Sequence, residues 1–197
     1  MKKFNVIVSL AFLTGLFFGC GASGGKDQFI SDLLSKMTLE EKVGQMTQVD
    51  KRMLDSDEDI ATYFIGSILS GGGSVPKDNT PKGWVNMINS YQEQALSTRL
   101  KIPLIYGIDA VHGHSNVVGA TIFPHNIGLG CANDPDLIYD VNHATAVEVA
   151  ATGLHWTFSP CITIPRDDRW GRQYEGFSES PELVSGLTVA AIKGYED

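Results

Sequence analysis

Two stretches of the 197-residue chain concentrate side chains capable of chemistry. The first is Tyr106-Gly107-Ile108-Asp109-Ala110-Val111-His112-Gly113-His114, an apolar run that stops at a carboxylate close to two glycines. Glycine lets backbone approach a ligand closely, and a carboxylate so placed can accept hydrogen bonds from two vicinal hydroxyls. Such charge-assisted bonds contribute about 1.5–3 kcal/mol each. Capping the following turn is the competing role for Asp109. The second stretch runs Arg166-Asp167-Asp168-Arg169-Trp170-Gly171-Arg172-Gln173-Tyr174-Glu175 and mixes arginines, acids and two aromatics. A surface ion-pair network would explain the charges and would contribute little energetically. Trp170 and Tyr174 favour a binding loop instead, because their flat rings are costly in solvent and match the apolar faces of a pyranose. Arg172 can donate to hydroxyls while paired with a nearby acid, and Arg166 and Arg169 can hold the loop.

The remaining reactive residues give weaker signals. His112 and His114 alternate in one loop and could ligate a metal, but a third ligand is missing. Hydrogen-bonded structural roles suit most of the histidines better. Cys131 and Cys161 each lie in an apolar context, which favours two buried thiols over a disulfide. Neither has a second Cys or a His at zinc-ligand spacing. Neither a metal nor a cofactor is expected.

These loops must be positioned by regular elements, and the sequence alternates helices with short apolar strands. Phe29, Ile30, Leu33, Leu34 and Met37 recur at helical spacing. Thr38-Leu39-Glu40-Glu41 has the form of a capping box that opens a helix through Met46. A strand is expected over 65–69, closed by Gly71-Gly72-Gly73. Pro81 to Thr98 reads as a helix with Trp84, Ile88, Tyr91 and Ala95 on one face. Pro103 to Asp109 and His155 to Thr163 read as buried strands. Asp134-Pro135 and Ser180-Pro181 supply caps for two further helices, ending before Gly153 and near Tyr195. Apolar strands between helices indicate a parallel sheet covered on both faces. A β/α barrel and a doubly wound sheet both fit that pattern. The polar clusters follow strand C-termini, and Gly71-Gly72-Gly73 lacks the context of a phosphate-binding loop, so the barrel is favoured.

The N-terminus reads as a leader. Lys2 and Lys3 precede an apolar run from Phe4 to Phe18 that is too short to span a bilayer as a helix. It ends at Gly19-Cys20, which resembles a lipobox; an ordinary secretory signal is the alternative. We therefore expect a signal peptide over 1–19, a lipidated Cys20 with a flexible leash over 20–26, and a folded domain over 27–197. Removing the leader deletes two lysines and no acids, leaving the chain more acidic than its formal net charge of −8. That balance argues against nucleic acid or anionic lipid surfaces as partners.

Three ordered motifs resemble glycoside hydrolase family 3, in its β-glucosidase and β-glucan exohydrolase branch. Lys36 to Met46 is similar to the family's opening helix. Gly107-Ile108-Asp109-Ala110-Val111-His112-Gly113, continuing into Gly119 to Asn126, is similar to its first substrate-binding loop. Arg169-Trp170-Gly171-Arg172 with Tyr174-Glu175 and Ser178-Glu179 is similar to the second. The resemblance implies an α/β fold, the N-terminal half of a (β/α)8 barrel, and retaining hydrolysis of terminal β-D-glucose from β-linked glucosides or oligosaccharides. It makes Asp109 and Arg172 substrate-binding residues, with His112, Arg166, Arg169, Trp170 and Glu175 supporting the loops. It also implies sugar-binding Lys-His, nucleophilic Asp and acid/base Glu positions beyond residue 197, so no catalytic residue is expected in this chain. A barrel takes roughly 200–250 residues, which points to a truncated or fragmentary frame. A non-catalytic sugar-binding remnant, a decayed gene product, and family activities on xylosides or N-acetylglucosaminides are the alternatives.

Overall fold

The computed structural model describes residues 22–197. The expected leader over 1–19 and lipidation site Cys20 lie outside the described residues. The chain separates into two units at Met37/Thr38. In the first, α1 (Ala22–Lys36) is a helix whose Phe29, Ile30 and Leu34 are exposed. It starts inside the stretch expected to be a leash, so residues 22–26 are helical.

The second unit begins with Thr38 capping α2 (Leu39–Gln45). The Thr38 hydroxyl accepts from the Glu41 amide (3.2 Å), and the Glu41 carboxylate accepts from the Thr38 amide (2.8 Å). Both halves of the capping box are therefore made. Next come β1 (Gln48–Asp50), a 3-10 turn (Lys51–Met53), α3 (Asp59–Thr62), β2 (Ser67–Ser70), α4 (Pro81–Ser97) and β3 (Ile105–Ile108). α5 (Asn126–Ala132), α6 (Pro135–Ala151), β4 (Trp156–Thr157), a second 3-10 turn (Gln173–Glu175) and α7 (Pro181–Glu196) complete it.

The four strands lie side by side in chain order and every pair is parallel. A doubly wound sheet would reverse direction of strand addition at a switch point. Stepwise addition is instead the winding of a barrel, in agreement with the expected fold class. All strand C-termini therefore open on one edge, where Asp50, Gly71, Asp109 and Phe158 mark the ends of β1 to β4.

The main core forms where α3 and α4 cover the sheet. Trp84, Ile88, Tyr91 and Ala95 are buried on one stripe of α4, against Ile60, Ile68, Tyr106 and Ile108. Trp84 is completely enclosed, and its indole Nε1–H donates to Asn79 Oδ1 at 2.7 Å, so burial leaves no polar atom unpaired. Truncating such a residue costs about 3–5 kcal/mol. A second cluster joins α5, α6 and α7 through Leu129, Ile138, Val141, Phe177, Val184 and Leu187.

Several elements depart from expectation. β1 and α3 are too short and polar to register as periodic runs. α5 carries Gly128 and Gly130, which mask its helical character. The strand expected over His155 to Thr163 shrinks to two residues. Among the described residues β4 has a neighbour on one edge only, and Pro160 and Pro165 have no amide hydrogen to donate to a ladder. Cys131 is exposed rather than buried and Cys161 is half-buried, both as free thiols. α5 buries Leu129 and Gly130, which turns Cys131 to the outside.

Candidate active site

β3 delivers Asp109 to the C-terminal edge of the sheet because its apolar residues Tyr106 and Ile108 must enter the core. Glycine is required twice nearby. A Cβ on Gly107 would come within 2.5 Å of the Phe158 ring, so the β3 and β4 exits pack directly together. Gly113 has φ +94°, and a Cβ there would lie 2.0 Å from the Thr121 carbonyl oxygen. The loop therefore folds back tightly enough for the Phe123 amide to donate to the His112 carbonyl at 2.9 Å.

Asp109 opens into a cavity of about 200 Å³ lined by Gly72, Asp109, Val111, His112, Ser115, Asn116, His125, Arg172, Tyr174 and Glu175. The two sequence stretches thus meet: Asp109 and His112 come from the β3 loop, Arg172 and Glu175 from the β4 loop. Burial pushes the Asp109 carboxyl above its ordinary value; the Arg172 charge opposes this and Glu175 adds to it. Glu175 is shifted the opposite way, chiefly by its hydrogen bonds from Arg172. Arg172 Nε donates to Glu175 Oε1 (2.7 Å) and Nη2 to Oε2 (2.5 Å), a bidentate pair that fixes the plane of the guanidinium. The Cys161 thiol also donates to Glu175 Oε2 (3.5 Å), and the Asn126 amide donates to the Glu175 carbonyl (2.8 Å).

One wall is aromatic. The His112 and His125 rings lie 4.0 Å apart, and Tyr174 meets His125 edge-on at 4.6 Å. His112 Nδ1 is 3.0 Å from the Phe123 carbonyl oxygen. Since a carbonyl only accepts, Nδ1 carries a proton; when the ring is neutral, Nε2 is therefore its acceptor. Burial, followed by the neighbouring His112, holds His125 below the usual imidazole range.

The other nominated residues stay outside this cavity. Arg169 makes a bidentate pair with Asp167 within its own loop, and the Gln173 amide donates to the Asp167 carbonyl at 2.6 Å. Glu182 is held below its ordinary range chiefly by its own backbone amide and the Ser180 hydroxyl, with the Arg166 charge a smaller influence. Trp170 is exposed and absent from the lining of this cavity; Tyr174 is the aromatic of the same loop that enters it. Asn116, His125 and Ser115 line the cavity without having been singled out as site residues. His125 had a signal, since it lies in the motif following Gly119. Asn116 had none, because its role depends on where β2 and β3 exit. A larger cleft of about 720 Å³, bordered by Leu39 and Val43 of α2 and by Met53, Leu54, Tyr63 and Phe64, contains none of the nominated residues.

A parallel β/α sheet with carboxylate, guanidinium and aromatic groups converging beyond its strand C-termini defines a barrel-type domain with a polar cavity at that edge. The chain belongs to glycosyl hydrolase family 3: residues 38–197 match the N-terminal domain of that family. It is 37% identical over 189 residues to the lysosomal beta glucosidase of Dictyostelium discoideum, covering 87% of this chain and 23% of that protein. Identity to the periplasmic beta-glucosidase of Salmonella typhimurium is 33% over 174 residues, covering 87% and 21%. Among solved structures, the exo-1,3/1,4-beta-glucanase of a Pseudoalteromonas species superposes with a TM-score of 0.80 at 44% identity. That match covers 86% of this chain and 22% of the glucanase. The chain thus spans less than a quarter of the length of these relatives.

Proposed function

We propose that the chain is the N-terminal part of an exported β-glucosidase-type glycoside hydrolase, supplying part of the pocket for a terminal β-linked glucosyl unit. The observation that carries this reading is the convergence of Asp109 and Arg172 in one cavity, although they come from motifs more than sixty residues apart. The names of the relatives, two β-glucosidases and an exo-β-glucanase, support the substrate class. Asp109 accepts hydrogen bonds from two ring hydroxyls, while Arg172, held flat by Glu175, donates to the same ring. His112 offers Nε2 as a further acceptor and Tyr174 an apolar edge. The retaining reaction requires two carboxyl groups about 5–5.5 Å apart across the scissile bond. By the family resemblance, both belong to segments following residue 197.

One observation favours a second reading. Asp109 and Glu175 have acidities pushed apart, the pattern expected of an acid and a nucleophile sharing one site. Against it, both Glu175 oxygens accept from Arg172, and this charge pairing lowers the nucleophilicity of the carboxylate. Assaying the purified chain for release of the aryl alcohol from an aryl β-glucoside, beside Asp109→Asn, separates the two readings. We expect no turnover by the folded chain and glucose binding that Asp109→Ala abolishes. Turnover lost in Asp109→Asn would place a catalytic pair inside this chain and overturn the binding role. A folded chain that neither turns over nor binds glucose would refute both.

Export and anchoring belong to the same proposal, resting on the leader sequence and on relatives described as periplasmic and lysosomal. No helix among the described residues is long and apolar enough to cross a membrane, so attachment would use the lipid on Cys20. Cys20→Ser should move the protein from the membrane fraction to the soluble one; unchanged membrane association would rule the anchor out.

A further inference from the structure

Asp109 is held by more than its own strand. The loop that follows β2 runs Gly71-Gly72-Gly73-Ser74 and passes beside the end of β3. It does so closely: a Cβ built on Gly71 would lie 3.8 Å from Asp109 Oδ2, in van der Waals contact. The connection is made by a single side chain. Asn116 is buried at 8% exposure and lines the cavity, and both ends of its amide are used. Its Nδ2 donates to the Asp109 carbonyl at 2.9 Å, and its Oδ1 accepts from the Gly73 amide at 3.2 Å. Those partners fix the orientation of the amide, because a carbonyl can only accept and an N–H can only donate.

We infer that Asn116 is a positioning residue for substrate binding, clamping the glycine loop after β2 to the exit of β3 so that Asp109 presents its carboxylate at one depth in the cavity. The inference deepens the sugar-binding reading of Asp109 and rests on it. Asn116 acts through the main chain of Asp109. Fixing the carbonyl fixes the peptide plane and with it the direction of the Cα–Cβ bond. Two further bonds complete the clamp: the Asp109 amide donates to the Ser70 carbonyl (3.3 Å), and the Tyr195 hydroxyl of α7 donates to the Ala110 carbonyl (3.0 Å). Among the described residues, Asn116 is the side chain that joins the β2 loop to the main chain of Asp109. The loop it holds also passes beside the carboxylate, with Gly71 next to Oδ2. Beyond the β2 loop, Ser74 donates to Asp50 Oδ1 (3.2 Å), which carries the same tie on to the end of β1. A site whose supporting contacts are lost becomes looser while keeping all its ligand groups, and looseness of about an ångström is enough to degrade it.

The test uses the full chain as wild type, Asn116→Ala and Asn116→Asp, with thermal unfolding to establish that each is folded. Asn116→Asp keeps the shape and the acceptor for Gly73 and removes the donor to Asp109, so it serves if the alanine variant does not fold. Two readouts are taken. Glucose affinity by calorimetry should fall roughly tenfold in both variants, the effect of one or two lost hydrogen bonds. The Asp109 carboxyl, followed by carbon NMR through an acid titration, should move in Asn116→Ala toward its ordinary value, because the freed loop admits water. General destabilisation of a chain that remains folded would not move that titration. In the aspartate variant, faster exchange of the Asp109 and Gly73 amides replaces the titration, since the new charge would itself perturb Asp109. Unchanged affinity with an unchanged titration (or unchanged exchange in the aspartate variant) would overturn the positioning role. If the wild type binds no glucose, the sugar reading falls, while the titration or exchange still decides whether Asn116 sets the environment of Asp109.

Discussion

The two loops that form the candidate site are built from different materials. The β3 loop is sunk against the core and tied by neutral hydrogen bonds through Asn116 and Tyr195, with Gly113 at its tightest bend. The β4 loop lies further out and is shaped by two bidentate arginine–carboxylate pairs, Arg169 with Asp167 and Arg172 with Glu175. Buried hydrogen bonds between neutral groups are indifferent to salt and to moderate changes of pH, whereas exposed charge pairs are screened. The geometry of the site thus combines a carboxylate placed by neutral main-chain ties with a guanidinium held by a charge pair.

The sharpest contrast between the loops lies in their glycines. Gly113→Ala combines left-handed backbone with a clash against the Thr121 carbonyl and should cost about 3 kcal/mol, read from denaturant unfolding. Gly171→Ala, with nothing within 4 Å of its Cβ, should stay within about 0.5 kcal/mol of wild type. Equal effects would mean that the two loops are not differently packed.

Next in size is the loss of Glu175. Glu175→Gln should weaken glucose binding several-fold by releasing one side of Arg172, and raising salt in the wild type should weaken binding in the same direction. Amide exchange should then quicken over residues 166–175 and remain unchanged over 109–123. Uniform protection at both salt concentrations would break the distinction.

Acid should divide the loops in sign. The Asp109 carboxyl is raised by burial, so its ionisation costs stability, and the cost is relieved as pH falls through its folded value. Glu175 is lowered, so its pairing contributes fully above the ordinary glutamate range and is lost as pH falls through its folded value. Carbon NMR titration should therefore show Asp109 protonating first. Asp50, held at about 2 mainly by Arg52, should protonate after Asp109 as well. The opposite order of Asp109 and Glu175 would remove the electrostatic account of the site. The smallest effect belongs to Arg169→Ala, which should leave the melting temperature unchanged, since its pair with Asp167 is solvent-exposed.

Much of this arrangement is legible without any tertiary contact. The capping box at Thr38, the buried stripe of α4, and the caps at Asp134 and Ser180 are local patterns whose energetics are settled within a few residues. The stretches bearing Asp109 and Arg172 are recognisable by residue type and by motif. Sequence and structure part where neighbours, rather than periodicity, decide. His155 to Thr163 is apolar enough for a strand, yet pairs for only two residues, and the Pro160 and Pro165 that follow have no amide hydrogen to donate to a ladder. Trp170 is by composition the natural sugar platform, yet Tyr174, further along the same loop, takes the place in the cavity.

The sequence by itself determined the family, the alternation of helix and strand, and the carboxylate and guanidinium of the candidate pocket, because these depend on local spacing and motif identity. Tertiary structure alone decided which side chains support them. Asn116 became a clamp and His125 a wall of the cavity only when parallel strands added in order brought their C-termini to one edge. Such contacts mostly join residues far apart in the chain, and no local pattern encodes which will meet.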